Sequence, residues 1–154
     1  MLRKVECTVR STLTADQFMA WCQSAESRLC WPGTKEAWNK SGTIYYTVMM
    51  NAPGAREAIM RVEEHQRPSE WNGVGASFEN GMEWTFATGE VASSWQTYRF
   101  VEESTGSRLY LEHRYMMPGN AASRLLHRGR FARSVEKAVH RYAQRLAEEG
   151  DSAG

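Results

Sequence analysis

The last third of the sequence has an unbroken helical periodicity, and this stretch limits the folds that the chain can adopt. Within residues 121–149 the apolar positions recur in steps of three, four and seven: Leu125, Ala132, Val135, Val139, Tyr142 and Leu146. This spacing predicts one α-helix with a single apolar stripe, about 40 Å long at ~1.5 Å per residue. Asn120 can cap its start and Gly150 its end. Because the other face is charged, the helix cannot span a membrane, and the rest of the chain must cover its stripe.

The segments before this helix alternate between apolar and polar residues, as β-strands do. Strands are predicted at residues 4–11, 35–39, 43–51, 56–64, 82–91, 94–102 and 108–116. Turn-forming residues separate them at 40–42, 52–54, 79–81 and 104–106. Links this short allow only antiparallel pairing, so the strands are expected to form an antiparallel sheet. The irregular stretch 67–77 is predicted as a loop over a sheet edge or a cavity mouth.

Two short helices are predicted between the first strand and the second. Thr14 and Gln17 match the capping box that starts many helices. Phe18 and Trp21 continue this helix on one face, and the segment Trp31-Pro32-Gly33 ends the helical region. The predicted order is therefore strand, two short helices, a run of strands and the long helix.

Length, charge and cysteine content narrow the possible functions. A chain of 154 residues predicts one domain over residues 1–150, with 151–154 as a frayed tail. Nineteen basic and eighteen acidic residues leave a net charge of +1, which argues against a nucleic-acid-binding protein. No segment has the apolar run of a signal peptide or a membrane span. The three cysteines lack the spacing of a zinc site, and we expect a cytoplasmic protein without metal or cofactor.

The order of elements and several motifs resemble those of a known superfamily. The best-matched segments are residues 95–101, with the sequence WQTYRFV, residues 105–111, and residues 116–119 followed by the final helix. The pair Trp31-Pro32 also resembles the Trp-Pro that often follows the two short helices. From Val5 to about Glu148, the chain resembles the helix-grip fold of the START, Bet v 1 and polyketide cyclase proteins, which are grouped as SRPBCC domains. The resemblance implies an α+β domain in which a curved antiparallel sheet of six to seven strands wraps around the C-terminal helix and encloses a mostly apolar cavity.

Aromatic side chains are expected where such a cavity would lie. Trp84 and Phe86 share one face of their predicted strand, because alternate residues of a strand point to the same side. The candidate ligand-binding residues are Tyr46, Trp84, Phe86, Trp95, Tyr98, His113 and Arg128. Alternatively, the aromatic residues among them simply fill the core.

Two of these residues, Arg128 and His113, are also the candidates for catalysis, since the sequence contains no recognisable catalytic motif. At ~100° per residue Arg128 falls inside the apolar stripe of the long helix, where an unpaired charge is costly. Its guanidinium can orient an anionic or enolic group of a ligand, or it can extend to the helix end while its stem packs. His113 shares a face with Leu109 and Leu111, and it can act as acid or base near neutral pH or serve as a hydrogen-bonded core residue.

These features predict a carrier or sequestering protein that binds a hydrophobic or polycyclic small molecule, such as a lipid or a polyketide-like natural product. One alternative is a polyketide aromatase/cyclase or dehydratase that uses acid–base groups of the cavity. A second alternative is an interaction module that acts through an exposed apolar surface. The sequence identifies neither the ligand nor the reaction, and it fits a monomer or a homodimer.

Overall fold

The computed structural model of the chain describes residues 2–51, 57–69, 75–86, 89, 91–116 and 121–153, with side chains except at 50, 51, 57–59, 121–131 and 153. Strand β1 (Leu2–Ser11) is followed by helix α1 (Ala15–Gln23) and a 3₁₀ helix (Glu26–Cys30). The remaining elements are β2 (Thr34–Lys40), β3 (Thr43–Asn51), β4 (Glu57–Pro68), β5 (Ala76–Thr85), β6 (Val91–Glu103), β7 (Gly106–Met116) and α2 (Ala121–Ala153). This confirms the predicted order of elements.

The seven strands form one antiparallel sheet in the order β1-β7-β6-β5-β4-β3-β2. Every neighbouring pair except β1 and β7 is also consecutive in the sequence, as the short predicted links require. The predicted turn at residues 40–42 is confirmed, and Ser41 and Gly42 adopt positive φ angles of 55° and 87° there. The predicted turn at 52–54 and the predicted break at 117–120, including the Asn120 cap, lie outside the described residues.

The core lies between one face of the sheet and the long helix, as predicted. Helix α2 packs against β1 and the 3₁₀ helix. Among the residues of α2 whose side chains are described, the buried apolar ones are Val135, Val139, Tyr142, Ala143, Leu146 and Ala147. On β7 the buried positions Leu109, Leu111, His113 and Tyr115 alternate with more exposed ones, so one face of the strand meets the helix. Within the described residues, no helix has the combination of length and apolar character that crossing a membrane requires.

The predicted turn at residues 79–81 is wrong, because these residues lie in the middle of β5. Gly81 pairs with His65 on one side and Trp95 on the other. The side chain of Asn80 is buried and donates a hydrogen bond to Glu64, 2.5 Å away. An Asn-Gly pair usually marks a hairpin, but here the interior supplies a partner for the amide and the strand continues. Both ends of the stretch 67–77, which was predicted as a loop, belong to strands, because β4 extends to Pro68 and β5 begins at Ala76.

The long helix also continues past Gly150, which the sequence suggested as its end. Asp151 accepts hydrogen bonds from the Ser11 hydroxyl at 2.6 Å and from the Thr12 backbone N–H at 2.8 Å. These bonds join the last turn of the helix to the end of β1. Gly150 packs closely against Trp21, since a Cβ there would lie 3.1 Å from Cδ1 of that ring. The helix therefore ends at Ala153.

Candidate ligand-binding cavity

A cavity of about 410 Å³ lies between the sheet, helix α2 and the turn that follows the 3₁₀ helix. Its volume falls within the range of ~300–1,000 Å³ that is usual for small-molecule sites. The described residues that line it are Trp31, Pro32, Gly33, Met49, Met60, Trp84, Phe86, Ala92, Ser93, Ser94, His113, Tyr115, Met116, Ser134, Val135 and Ala138. Aromatic rings and methionines make up half of this lining, and none of the described lining residues carries a formal charge at neutral pH.

The turn at residues 31–33 places Trp31 in the wall of the cavity. Gly33 has a φ of +85°, and a Cβ there would lie 2.3 Å from the carbonyl oxygen of Met49. Only glycine allows the turn to approach β3 this closely. The ring of Trp31 lies 5.7 Å from that of Trp84 and 5.6 Å from that of His113, measured between centroids. The predicted Trp-Pro motif thus belongs to the cavity.

Trp84, near the end of β5, and Phe86, just after this strand, both line the cavity. Their predicted alternation placed them on the same side. Trp84 is held by a hydrogen bond of 2.7 Å from its Nε1 to the hydroxyl of Ser94. Because the polar atom of the indole is already bonded to protein, the ring presents mainly its apolar surface to the space beside it.

His113 also lines the cavity, but burial changes its chemistry. The side chain is 2% exposed, and its Nδ1 lies 3.1 Å from the amide nitrogen of Gln96. Burial lowers the pKa of His113 from 6.5 to about 3, because the charged imidazolium loses its hydration. The ring is therefore neutral at physiological pH. Of the two roles that the sequence allows for His113, this environment favours the hydrogen-bonded core residue over an acid or base near neutral pH.

A buried ion pair lies deeper in the core than the cavity. Arg28 of the 3₁₀ helix is 1% exposed, and Glu64 of β4 is fully buried. Nε of Arg28 lies 2.8 Å from one oxygen of this carboxylate, and Nη2 lies 2.7 Å from the other. Asn80 donates to the same carboxylate, and the Tyr46 hydroxyl is hydrogen-bonded to it as well. These extra hydrogen bonds satisfy the remaining acceptor sites of the carboxylate. An isolated buried ion pair would lack such bonds.

The network continues from the ion pair to the cavity wall through side chains of α2 and β6. Nη1 of Arg28 donates to the Tyr142 hydroxyl at 2.6 Å, and the hydroxyls of Tyr142 and Tyr98 are 2.7 Å apart. The Tyr98 hydroxyl donates to the side-chain oxygen of Gln96 at 2.5 Å. Gln96 in turn contacts His113, so a continuous chain of side chains joins Arg28 to the cavity.

The remaining predicted ligand residues are not among the described residues that line the cavity. Tyr46 and Tyr98 are buried in the polar network, one layer below the described lining. Trp95 alternates with the buried Ser94 and Gln96, so it lies on the opposite face of the sheet, against Gly81. Arg128 belongs to α2, but its side chain is outside the described part of the chain.

Sequence reasoning missed Arg28, Glu64, Gln96 and Tyr142 as members of this network. Strand alternation could have identified Gln96, since it shares a face with Tyr98 and Phe100. Glu64 likewise shares a face of β4 with the buried Val62 and Met60. A polar residue at an inward position is the available signal, because such a residue requires a buried partner.

No protein-family model and no curated protein matches the sequence. Solved structures share the fold at low identity. The Zhui aromatase/cyclase from Streptomyces sp. R1128 is 13% identical, with a TM-score of 0.69 over 98% of this chain and 94% of that chain. A START superfamily protein from Mycobacterium smegmatis is 12% identical, with a TM-score of 0.58 over 94% and 97% of the two chains. Ara h 8.0201 is 6% identical, with a TM-score of 0.59 over 99% of each chain. These likenesses establish the START-like helix-grip fold that the sequence predicted.

Proposed function

We propose that this helix-grip protein binds a hydrophobic, aromatic or polycyclic small molecule in the cavity between its sheet and its last helix, as a carrier or sequestering protein. The observation that carries the proposal is the space of about 410 Å³ with an aromatic and methionine-rich lining. Filling such a space with an apolar molecule removes apolar surface from water on both partners.

The shape of the lining suits flat rings. Trp31 and Trp84 meet at an interplanar angle of 58°, and His113 is tilted by 37° from Trp31, so the rings form an angled wall rather than a closed stack. Met49 and Met60 lie among the same lining residues, and unbranched thioether side chains adapt to irregular ligand edges. This combination favours a polycyclic ligand over a flexible chain.

The described lining favours binding over catalysis. It contains no carboxylate, and its histidine is neutral, because burial holds the pKa of His113 far below physiological pH. General acid–base catalysis needs a group that can exchange a proton with the substrate near the working pH. The Zhui protein is described as an aromatase/cyclase, so cyclase activity remains the alternative enzymatic proposal for this chain.

Arg128 is part of the proposal as a contact for the polar end of the ligand. It lies seven residues before Val135, which lines the cavity from α2. Seven residues are almost two full helical turns, so the two positions share a face of the helix. A guanidinium on that face would contact an enolic or anionic oxygen of the ligand.

The experiment is a binding titration followed by tryptophan fluorescence, with the tricyclic ketone 9-fluorenone as the probe. Ala138→Phe places a ring in the cavity and is expected to weaken binding at least tenfold. Gln144→Phe is the matched control, because residue 144 is exposed on α2 and is not among the described lining residues. Equal binding by the wild type and the Ala138→Phe variant would contradict the proposed site. Mass spectrometry of the recovered probe distinguishes carriage from chemistry, since a carrier returns it unchanged.

A further inference from the structure

We propose that a one-way chain of hydrogen bonds holds His113 with its proton on Nε2. The chain begins at Arg28 and passes through Tyr98 and Gln96. The cavity thereby offers a fixed hydrogen-bond donor and selects ligands that carry a carbonyl-type oxygen. This inference rests on the proposed function only in its last step. Tyr98 and Gln96 are positioning residues in this scheme, because they act on the ligand through His113.

The direction of the chain is set at its buried end. A guanidinium has five N–H donors and no acceptor, so Nη1 of Arg28 can only donate to the Tyr142 oxygen, 2.6 Å away. The Tyr142 hydroxyl then has its own proton available for the Tyr98 oxygen at 2.7 Å. The Tyr98 proton is left for the Gln96 side-chain oxygen at 2.5 Å.

The orientation of the Gln96 amide follows from this direction. Its oxygen accepts from Tyr98, so its nitrogen faces Nδ1 of His113 at 3.1 Å. An amide nitrogen only donates, and Nδ1 must therefore be the unprotonated nitrogen of the ring. The proton of the neutral imidazole is then on Nε2.

Hydrogen bonds that ran in the opposite direction along this chain would leave one hydroxyl proton without an acceptor. If His113 donated from Nδ1 to a rotated Gln96 amide, each hydroxyl in the chain would have to donate towards Arg28. The chain would then end with the Tyr142 proton facing the guanidinium, which cannot accept it. A buried hydroxyl without an acceptor is costly, and this cost disfavours the reversed arrangement.

In this proposal a ligand meets the chain at Nε2 of His113. His113 is a lining residue of the cavity, and Nε2 has no hydrogen-bond partner among the residues that the structure describes. A ketone, quinone or lactone oxygen placed beside the ring would accept this hydrogen bond. A ligand of the same shape without the oxygen would leave the donor unpaired, which is the usual physical basis for discrimination between such pairs.

The tautomer is measured by NMR on protein labelled with ¹⁵N-histidine at pH 7.5, without ligand. The His113 signals are assigned by their loss in His113→Gln. The wild type is expected to show neutral His113 with the proton on Nε2. A proton on Nδ1, or a charged ring, would overturn the proposal, and this test needs no variant other than the one used for assignment.

Tyr98→Phe tests the positioning role. Without the Tyr98 hydroxyl, the Gln96 amide is free to rotate and accept from Nδ1, so a population of His113 with the proton on Nδ1 should appear. Tyr46→Phe is the matched control, because it removes a buried hydroxyl that is bonded to Glu64 at the other end of the network. The control should keep the wild-type tautomer. An unchanged His113 spectrum in folded Tyr98→Phe would refute the role of Tyr98.

Ligand selection is measured by comparing 9-fluorenone with fluorene, which has the same tricyclic shape without the ketone. The wild type should prefer fluorenone by about five- to tenfold, as expected for one net hydrogen bond. Tyr98→Phe should lose most of this preference while binding fluorene as before. Equal binding of the two probes by the wild type would refute selection by His113. If neither probe binds, the proposed function fails together with the selection step, and the NMR result decides the hydrogen-bond chain separately.

Discussion

Acidification should destabilise this protein through one buried side chain, His113. Burial lowers the pKa of His113 from 6.5 to about 3, so between these values the unfolded chain binds a proton that the folded chain excludes. Stability therefore falls as the pH drops below about 6.5, and the loss levels off near pH 3. Each pH unit inside this window costs ~1.4 kcal/mol. Two units of acidification, to pH 4.5, should remove about 3 kcal/mol.

Urea unfolding at pH 7.5 and pH 4.5, followed by tryptophan fluorescence, measures this loss. The comparison protein is His113→Gln, in which the side chain cannot titrate and its amide oxygen can still accept from Gln96. Other titrating groups are common to both proteins, so they cancel in the difference. The wild type should lose about 3 kcal/mol more than the variant between the two pH values. Equal losses would show that His113 is not excluded from protonation, and the reasoning about its burial would be refuted.

Three further substitutions test other parts of the structure. Glu64→Gln leaves the buried guanidinium of Arg28 without its counter-charge and should lower the free energy of unfolding by about 3–5 kcal/mol in urea; a loss below 1 kcal/mol would contradict the buried ion pair. Gly33→Ala forces a side chain into a backbone with positive φ and should cost more than ~1 kcal/mol by the same measurement, whereas unchanged stability would contradict the close turn. Arg128→Met should weaken binding of an enolic or anionic polycyclic ligand by ~1–3 kcal/mol in a fluorescence titration without altering the circular dichroism spectrum. Unchanged binding would remove Arg128 from the proposed site.

The fold was predictable because its signals are local. Short links between alternating segments require antiparallel pairing, and a long apolar stripe requires a sheet to cover it. The error at Asn80-Gly81 arose where a tertiary contact overrides a local signal. The hydrogen bond from Asn80 to Glu64 holds the pair inside β5, and a sequence pattern does not show that these residues meet.

Residues of the candidate site could be predicted from the sequence only where strand alternation decides on which face of the sheet a side chain lies. Alternation placed Trp84, Phe86 and His113 at the cavity. Trp95 was also predicted to contact the ligand, yet it lies on the opposite face because the inward positions beside it hold Ser94 and Gln96. The network on which His113 depends joins residues up to 114 positions apart in sequence, and only the folded chain brings them together.

The pairing of β1 with β7 has a consequence for how the chain is made. Every other pair of neighbouring strands can close as soon as the next strand leaves the ribosome, but Leu2–Ser11 must wait for Gly106–Met116. At ~5–20 residues per second, synthesis of the intervening hundred or so residues takes about 5–20 s. Throughout that time the first strand exposes unpaired backbone groups, which are a template for pairing with other chains. Its outward residues include Lys4, Glu6 and Arg10, and their charges oppose such pairing until β7 arrives.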